Sequence, residues 1–538
     1  MLSDRRRFLA RSAKLTSLAA LAAAFPGAMF SPAATGQVPA SATSAYPFQL
    51  GIASGSPRPT SVVLWTRLVS NPLNPAPFAD KPLAVRWEIA EDNNFRRIAA
   101  KGVAAALPEL AHSVHVDVAG LRPDRWYWYR FMFNDAVSPV ARTRTAPAPD
   151  VMPAQLRFAF ASCQHWEFGK YGAHRHIAAA EPDLVAFLGD YIYEWGPYDL
   201  EHPDNARHRD IESFTLQDYR MRYAQYKSDM HLQASHHAAP WIVTWDDHEI
   251  ANDYGNDRDE RRDPNFLARR AAAYQAFYEH MPVRLGTLPS DANRFAFMRI
   301  YERYDWGRLA RFHVLDDRQY RSYHACQPAD RGGSSSVTPS CAERIRPERT
   351  LLGREQESWL AEGFANSPAR WNVLAQQTLM AQSSQIPAHA EGEGRFWTDG
   401  WDGYPAARAR LFDDIVKHRP ANPLVVSGDV HTFYAADLKR DFFRSTSADN
   451  PVIATEFCGT SVTSNSRPQL RTEQYLVHNP HIKFGRSDRR GFVMMEITPQ
   501  RSVAHFQALN DVHDVNSGMT TLARFVVEDG KPGIVRAD

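Results

Sequence analysis

The chain has 538 residues, 44% hydrophobic and 23% charged, an ordinary globular composition that excludes wholesale disorder and collagen-like or coiled-coil architectures. That length suits two domains, or one large domain with an appendage. With 62 basic residues against 61 acidic ones the formal charge is +1, so no global field exists to grip nucleic acid and no stable nucleic-acid partner is expected.

Asp4-Arg5-Arg6-Arg7-Phe8-Leu9 opens a basic segment that runs into a mild, alanine-rich stretch over 15–25. The apolar part is shorter than the roughly 20 residues a membrane-spanning helix needs. Paired arginines before Phe-Leu resemble a twin-arginine export signal, and Ala40-Ser41-Ala42 offers a small-x-small cleavage site. The expectation is a signal peptide over 1–42, recognised by the twin-arginine export machinery. The destination is then the periplasm or the exterior, with no membrane anchor after signal removal.

From 46 to 145 the pattern is one of short strands. The runs 61–67, 83–89 and 113–118 are alternating or β-rich, and a turn at 120–125 leads into the aromatic strand 126–131. Several strands at this spacing suggest an immunoglobulin- or fibronectin-like β-sandwich of roughly one hundred residues. A Pro- and Ala-rich stretch, 145–153, reads as a linker. From 153 to 530, apolar strands alternate with helical patterns at 216–232, 265–281, 352–365 and 404–416, which indicates a layered α/β domain. Cys326 and Cys341 bracket a Gly332-Gly333-Ser334-Ser335-Ser336 loop and could close it by a disulfide in an oxidising compartment, whereas Cys458 reads as a buried small hydrophobe.

Ligands of layered α/β domains bind beyond the carboxyl ends of the strands. Four apolar runs end in metal-ligand chemistry. Residues 156–162 lead to Cys163-Gln164-His165, 184–189 to Asp190-Tyr191-Ile192-Tyr193, 241–245 to Asp246-Asp247-His248-Glu249, and 423–428 to Asp429-Val430-His431. One aspartate after a strand usually caps a turn or helix; four such ends together point elsewhere. Converging carboxylates at Asp190, Asp246, Asp247 and Asp429 repel by about 4 kcal/mol per pair at ~4 Å and an effective dielectric of about 20. Bound cations relieve that repulsion. Carboxylates suit a hard ion, while a thiol at Cys163, a phenol at Tyr193 and an imidazole suit a softer, more acidic one. Ferric iron is the natural candidate for the latter.

These motifs, in this order behind an export signal and a β-domain, resemble the calcineurin-like metallophosphoesterases, and more closely the PhoD-type alkaline phosphatases. The resemblance implies a four-layer α/β/β/α sandwich, a site holding Fe³⁺ and Ca²⁺, and hydrolysis of phosphate mono- and diesters at alkaline pH. Carried over by motif, Asp190 bridges the metals, Cys163 and Tyr193 bind iron, and His431 sits on the same ion. Asp247 and Asp429 stand where the superfamily has asparagine and histidine and favour calcium, with Asp246 counted in the same acidic set. Two departures stand out: Cys163 replaces the usual Asp-x-His, and the histidine normally supplied between the last two motifs has no clear counterpart. The run 371–377 is the candidate for that strand, with a glutamine in the histidine's place.

The implied chemistry is metal-assisted transfer of a phosphoryl group to water, in which the ions lower the pKa of a bound water and hold phosphate oxygens. His248 is expected to hydrogen-bond a phosphate oxygen or protonate the leaving group, or else to be a structural histidine paired with Glu249 or another carboxylate. Arg318, after another strand-like run, either clamps phosphate or pairs with Asp316 or Asp317. Asn252 and Asp253 either support the site or stabilise a turn, and 440–490 forms a lid or irregular packing. Two other readings are a phospholipase-, nuclease- or phosphotriesterase-type hydrolase on the same scaffold, and an exported non-catalytic metal- or glycan-binding protein built on the sandwich.

Overall fold

Alternation along the central strands sets the layering. In the strand Leu156–Ala161, Leu156, Phe158 and Phe160 join one apolar cluster while Ala159 and Ala161 join another. Leu184–Leu188 divides likewise, with Leu184, Ala186 and Leu188 on one side and Val185 and Phe187 on the other. Strands apolar on both faces belong in the interior of a layered stack. The computed structural model describes residues 46–73, 78–198, 208, 211–284 and 295–537; the expected signal peptide lies outside the described residues.

Two large sheets face each other across the cluster that holds Phe158, Phe160, Ala186, Phe312, Val373, Leu424 and Val426. The first has ten strands in the order Lys531–Ala537, Met519–Glu528, Arg501–Leu509, Gly491–Ile497, Leu156–Ala161, Leu184–Leu188, Trp241–Thr244, Ile52–Arg58, Ser61–Arg67, Ser113–Ala119. The second has seven, with Ala310–Val314, Trp371–Ala375, Pro423–Ser427 and Val452–Cys458 adjacent and parallel at its centre. Helices Gly172–Ala179, Leu216–Lys227, Met230–Ala238 and Phe266–His280 cover the outer face of the first sheet, and Arg354–Ala365 and Pro405–His418 that of the second. The stack is the four-layer α/β/β/α sandwich that the resemblance implies.

A β-sandwich is present at the N-terminal side, but one of its sheets is not its own. Ile52–Arg58 pairs in parallel with Trp241–Thr244, Gly55 opposite Trp241, so three sandwich strands extend the ten-stranded sheet. The partner sheet of five strands packs Leu83, Val85, Ile89, Tyr129 and Phe131 onto Val62, Leu64, Val114 and Val118. The opposite face of the shared strands meets the helices: Trp65 Nε1 donates to the Glu279 carbonyl at 3.0 Å, and the His115 ring stacks on Tyr278.

One expected helix is two. Residues 216–232 break after Lys227, because the Asp229 carboxylate accepts from the backbone of His231 and Leu232 and starts a new helix at Met230. Cys326 and Cys341 form a disulfide with Cα atoms 6.1 Å apart, and Cys163 and Cys458 are free and buried. Among the described residues no helix is long and apolar enough to cross a membrane.

Candidate metal centre and active site

Leu156–Ala161, Leu184–Leu188 and Trp241–Thr244 are neighbouring parallel strands, so their C-terminal ends open on one edge. The chain turns sharply there. Cys163, Asp190, Asp429 and His431 take φ of +60°, +55°, +62° and +53°. Left-handed backbone costs a non-glycine residue of order 1–3 kcal/mol, and its clustering is a mark of functional turns. Glu249 holds two of the turns together: its Oε2 accepts from the Asp190 and Asp246 amides at 3.0 and 2.9 Å, and its Oε1 from Tyr191 at 2.7 Å. Gly428 lets the second sheet approach the first, since a Cβ there would lie 2.2 Å from Ser162 Oγ.

On one side of the pocket, donor atoms of Cys163, Asp190 and His431 lie within 4.8 Å of one another. Tyr193 Oη donates to Asp190 Oδ2 at 2.9 Å and lies 3.3 Å from His431 Nε2. His431 Nδ1 donates to the Asn465 carbonyl, which leaves Nε2 as the free lone pair facing Tyr193. Ser464 Oγ sits 2.7 Å from Tyr193 Oη. Burial, with Asp190 beside them, pushes the Cys163 thiol and the Tyr193 phenol well above their ordinary ranges. Burial lowers His431 to about 3.

On the other side, carboxylate oxygens of Asp247, Asp253 and Asp399 lie within 4.8 Å of one another, and Asp190, Asp247 and His248 form a third such group that joins the two sides. The Asp253 amide donates to Asp247 Oδ2 at 2.7 Å. Asp399, just after the short strand Phe396–Trp397, receives Arg318, Arg321 and His324 on Oδ1 at 2.7, 2.7 and 2.6 Å. Burial opposes its charge, but the Arg318 and Arg321 guanidinium groups and the hydrogen bond to His324 hold its carboxyl well below the usual range. Asp429 lines the same pocket, and burial with Asp246 and Asp399 nearby pushes it well above that range.

Three expectations need correction. Arg318 is fully buried, does not line the pocket, and pairs with Asp246, Asp399 and Asp247 rather than with phosphate or with Asp316 and Asp317. Asp246 spends its Oδ1 on Arg318 and stands outside all three donor groups, because its strand end directs Asp247, not Asp246, into the pocket. Gln377 does not line the pocket where the missing histidine would stand: its Nε2 donates to Thr244 Oγ1 and to the Trp245 and Leu315 carbonyls, tying the strand ends together.

The donors fit cations. Asp399 Oδ2 and Asp429 Oδ2 are buried with no hydrogen-bond partner, and Asp247 Oδ1 has only the Arg318 guanidinium 3.5 Å away, an arrangement that is costly for carboxylates unless a further positive ion meets them. Oxygen-only donors on that side suit a hard divalent ion, and the sulfur, phenol and imidazole on the other suit a more acidic one.

His248 lines the pocket between the two sides. Its Nδ1 donates to Glu194 Oε2 at 2.8 Å, and the ring packs 4.1 Å from Tyr193 and 4.4 Å from Trp195, centroid to centroid. Burial works against its charge, yet Asp247, Glu194 and Asp190 hold its pKa well above the ordinary value. Glu194 Oε1 also accepts the Asn252 amide at 2.7 Å. The cavity measures about 490 Å³, and Trp397, Arg467, Arg471 and Tyr475 complete its walls. Arg471 and Tyr475 come from the helix Gln469–His478, so part of the region expected as a lid forms the pocket wall. Sequence reasoning missed Glu194, Ser464 and Asp399. Glu194 was visible as the residue after Asp190-Tyr191-Ile192-Tyr193; the other two come from loops with no strand signal before them.

Residues 158–506 match the family model described as PhoD-like phosphatase, and residues 33–147 match that of the PhoD-like phosphatase N-terminal domain. Alkaline phosphatase D of Bacillus subtilis (strain 168) is 44% identical over 502 residues, covering 91% of this chain and 82% of that protein. A solved structure of PhoD superposes with a TM-score of 0.85 at 43% identity, covering 92% of this chain and 93% of that one.

Proposed function

The chain belongs to the PhoD-like phosphatases and is a phosphate-ester hydrolase, and from that premise we propose an exported enzyme that hydrolyses phosphate mono- and diesters with Fe³⁺ and Ca²⁺ in one pocket. The observation that carries the proposal is the junction at Asp190, whose carboxylate belongs both to the group with Cys163 and His431 and to the group with Asp247 and His248. Cys163, Asp190, Tyr193 and His431 would hold iron. Asp247, Asp253, Asp399 and Asp429 would hold calcium. When bound, such ions supply Lewis acidity toward phosphate oxygens and an acidified water for attack on phosphorus.

The chain's own residues do the rest. Glu194 fixes His248 by accepting the hydrogen bond from Nδ1, so Nε2 can carry a proton to the departing alkoxide. Trp195 and Tyr193 pack against that ring and keep water from its faces. Arg467 and Arg471 supply positive charge at the wall, suited to a substrate that arrives as an anion. Arg318 acts from beneath: by occupying Asp246 Oδ1 and Asp399 Oδ1 it fixes which oxygens of the acidic side remain to bind.

The test is metal analysis of purified protein together with turnover of 4-nitrophenyl phosphate and bis(4-nitrophenyl) phosphate. Iron and calcium with release of 4-nitrophenolate from both esters is the expected result; an active enzyme free of iron would overturn the metal assignment. Export rests on Arg5-Arg6-Arg7-Phe8-Leu9 and the alanine-rich run behind it. Replacing Arg5, Arg6 and Arg7 by lysine should trap activity in the cytoplasm, and unchanged export would refute the twin-arginine route.

A further inference from the structure

The loop closed by Cys326 and Cys341 lies against the oxygen-rich side of the pocket. It touches that side at several points. The Ser334 amide donates to Asp253 Oδ2 at 2.9 Å, and Ser334 Oγ accepts from Trp397 Nε1 at 3.0 Å. Ser335 exchanges two hydrogen bonds with Thr398, the residue before Asp399, both at 2.9 Å. Ser336–Val337 then pairs as a strand with Phe396–Trp397. Gly333, at φ +74°, fits only because it has no side chain; a Cβ there would come 3.0 Å from Glu260 and 3.3 Å from Asp253.

Both ends of the loop also bear on the pocket. His324, two residues before Cys326, holds Asp399 Oδ1 at 2.6 Å. Arg344, three residues after Cys341, donates to the carbonyl of the pocket residue Asp402 at 2.6 Å. The loop between them is rich in Gly and Ser and has just two strand residues of its own, so its conformation without a covalent closure spans many states. The crosslink sits where the two arms meet, and the Cys326 amide donates to Glu343 Oε2 beside it.

We propose that the Cys326–Cys341 disulfide is a positioning element of the active site: by closing this loop it holds Asp253, Trp397 and Asp399 in place, and full substrate and cation binding requires it to be oxidised. The inference rests on the phosphoesterase reading of the pocket. It makes the enzyme sensitive to its redox surroundings, because Cys326 is exposed while Cys341 is buried, so an external reductant can reach one sulfur. A phosphine attacks the Cys326 sulfur, Cys341 leaves as thiolate, and water then releases Cys326 as a thiol with the phosphine converted to its oxide.

The experiment compares native metal-loaded enzyme, the same enzyme reduced by tris(2-carboxyethyl)phosphine, and the double variant Cys326→Ser, Cys341→Ser, which also controls for effects of the phosphine on the metals. The readouts are KM and kcat for 4-nitrophenyl phosphate, calcium affinity by calorimetry with calcium ion as the probe, and amide hydrogen exchange. KM and the calcium dissociation constant are each expected to rise about tenfold, the scale of losing support behind a ligand. Exchange should accelerate in 332–337 and 396–399 while Leu156–Ala161 and Leu184–Leu188 keep their protection. Trp397→Phe, which removes the bond to Ser334 with the disulfide intact, should reproduce part of the KM change. If the native enzyme turns over no phosphate ester, the functional reading fails. If it is active and both reduced and variant forms keep native KM and calcium affinity, this inference is overturned, as it is if reduction unfolds the strands named above.

Discussion

The two sides of the pocket reach the same kind of end by opposite electrostatics. On the side of Cys163, Tyr193 and His431 the donors still carry or share protons: the phenol donates to Asp190, and burial with that carboxylate nearby disfavours both thiolate and phenolate. On the other side Asp247 and Asp399 hold their charge, with Arg318, Arg321 and His324 gathered on one oxygen of Asp399, while burial and the neighbouring carboxylates push Asp253 and Asp429 upward. An ion on the first side must be acidic enough to displace protons, and it is then held tightly. An ion on the second side meets carboxylates whose field the arginines have weakened, so it should exchange more freely. The contrast would let one pocket hold a more fixed ion and a more labile one without different folds: Arg318 and Arg321 bond a carboxylate oxygen of Asp399, whereas Arg490 reaches the other side only at the His431 carbonyl.

The largest way to break the contrast is at the residue both sides share. Asp190→Asn should lower kcat/KM by roughly 10³-fold or more, beyond the 10–100-fold of lost outer support. Asp253→Asn, confined to one side, should cost far less. Equal losses would mean that the two sides are not joined through Asp190.

Next is the labile side alone. A calcium chelator should reduce activity about 10²-fold, on the scale set by losing a charge that stabilises the transition state, with full recovery on adding calcium back. Iron content should stay unchanged throughout. Asp399→Asn should raise the calcium concentration needed for that recovery; if it does not, the oxygen left free on Asp399 is not a ligand.

Much of this division was legible in the chain itself. Cys163, Asp190, Asp247, Asp429 and His431 follow apolar strands, and strand ends in a layered fold collect at one edge. The layering was legible too, because residues such as Phe158 and Ala159 alternate within one continuous apolar run. Asp399 was not legible: it follows a two-residue strand inside an irregular region, and its position depends on Arg318, Arg321 and His324, some 75 to 81 residues earlier. Nor was the role of Arg318, since a buried guanidinium that organises carboxylates and one that clamps phosphate look alike in sequence. The shared sheet was missed for a related reason. The pairing of Gly55 with Trp241 is a long-range register that no local pattern encodes.

Tyr193→Phe sharpens the other side. If the phenolate meets ferric iron, purified enzyme has a visible charge-transfer band, and the substitution should abolish it while lowering kcat/KM by about 10-fold. Retention of the band would assign the colour to Cys163 instead.

The smallest expected effect concerns stability, and it separates the two sides by pH. His174 donates through Nε2 to Gln164 Oε1 at 2.7 Å, directly behind Cys163, and burial lowers its pKa from 6.5 to about 3. The unfolded chain therefore takes up this proton first as pH falls, so the contribution of His174 is complete above 6.5 and is lost progressively toward 3. At about pH 5 the loss is up to about 2 kcal/mol. Asp399 loses its contribution in the same direction but in a lower window: held well below its ordinary 3.8, it keeps its contribution until the pH drops past that value. Mild acid should thus cost stability through His174 before it reaches Asp399. Urea unfolding of wild type and His174→Gln at pH values above and below this window measures it: the variant, which keeps an amide toward Gln164 but cannot titrate, should lose less stability on acidification. An identical pH dependence in both proteins would show that the weakness in mild acid lies elsewhere.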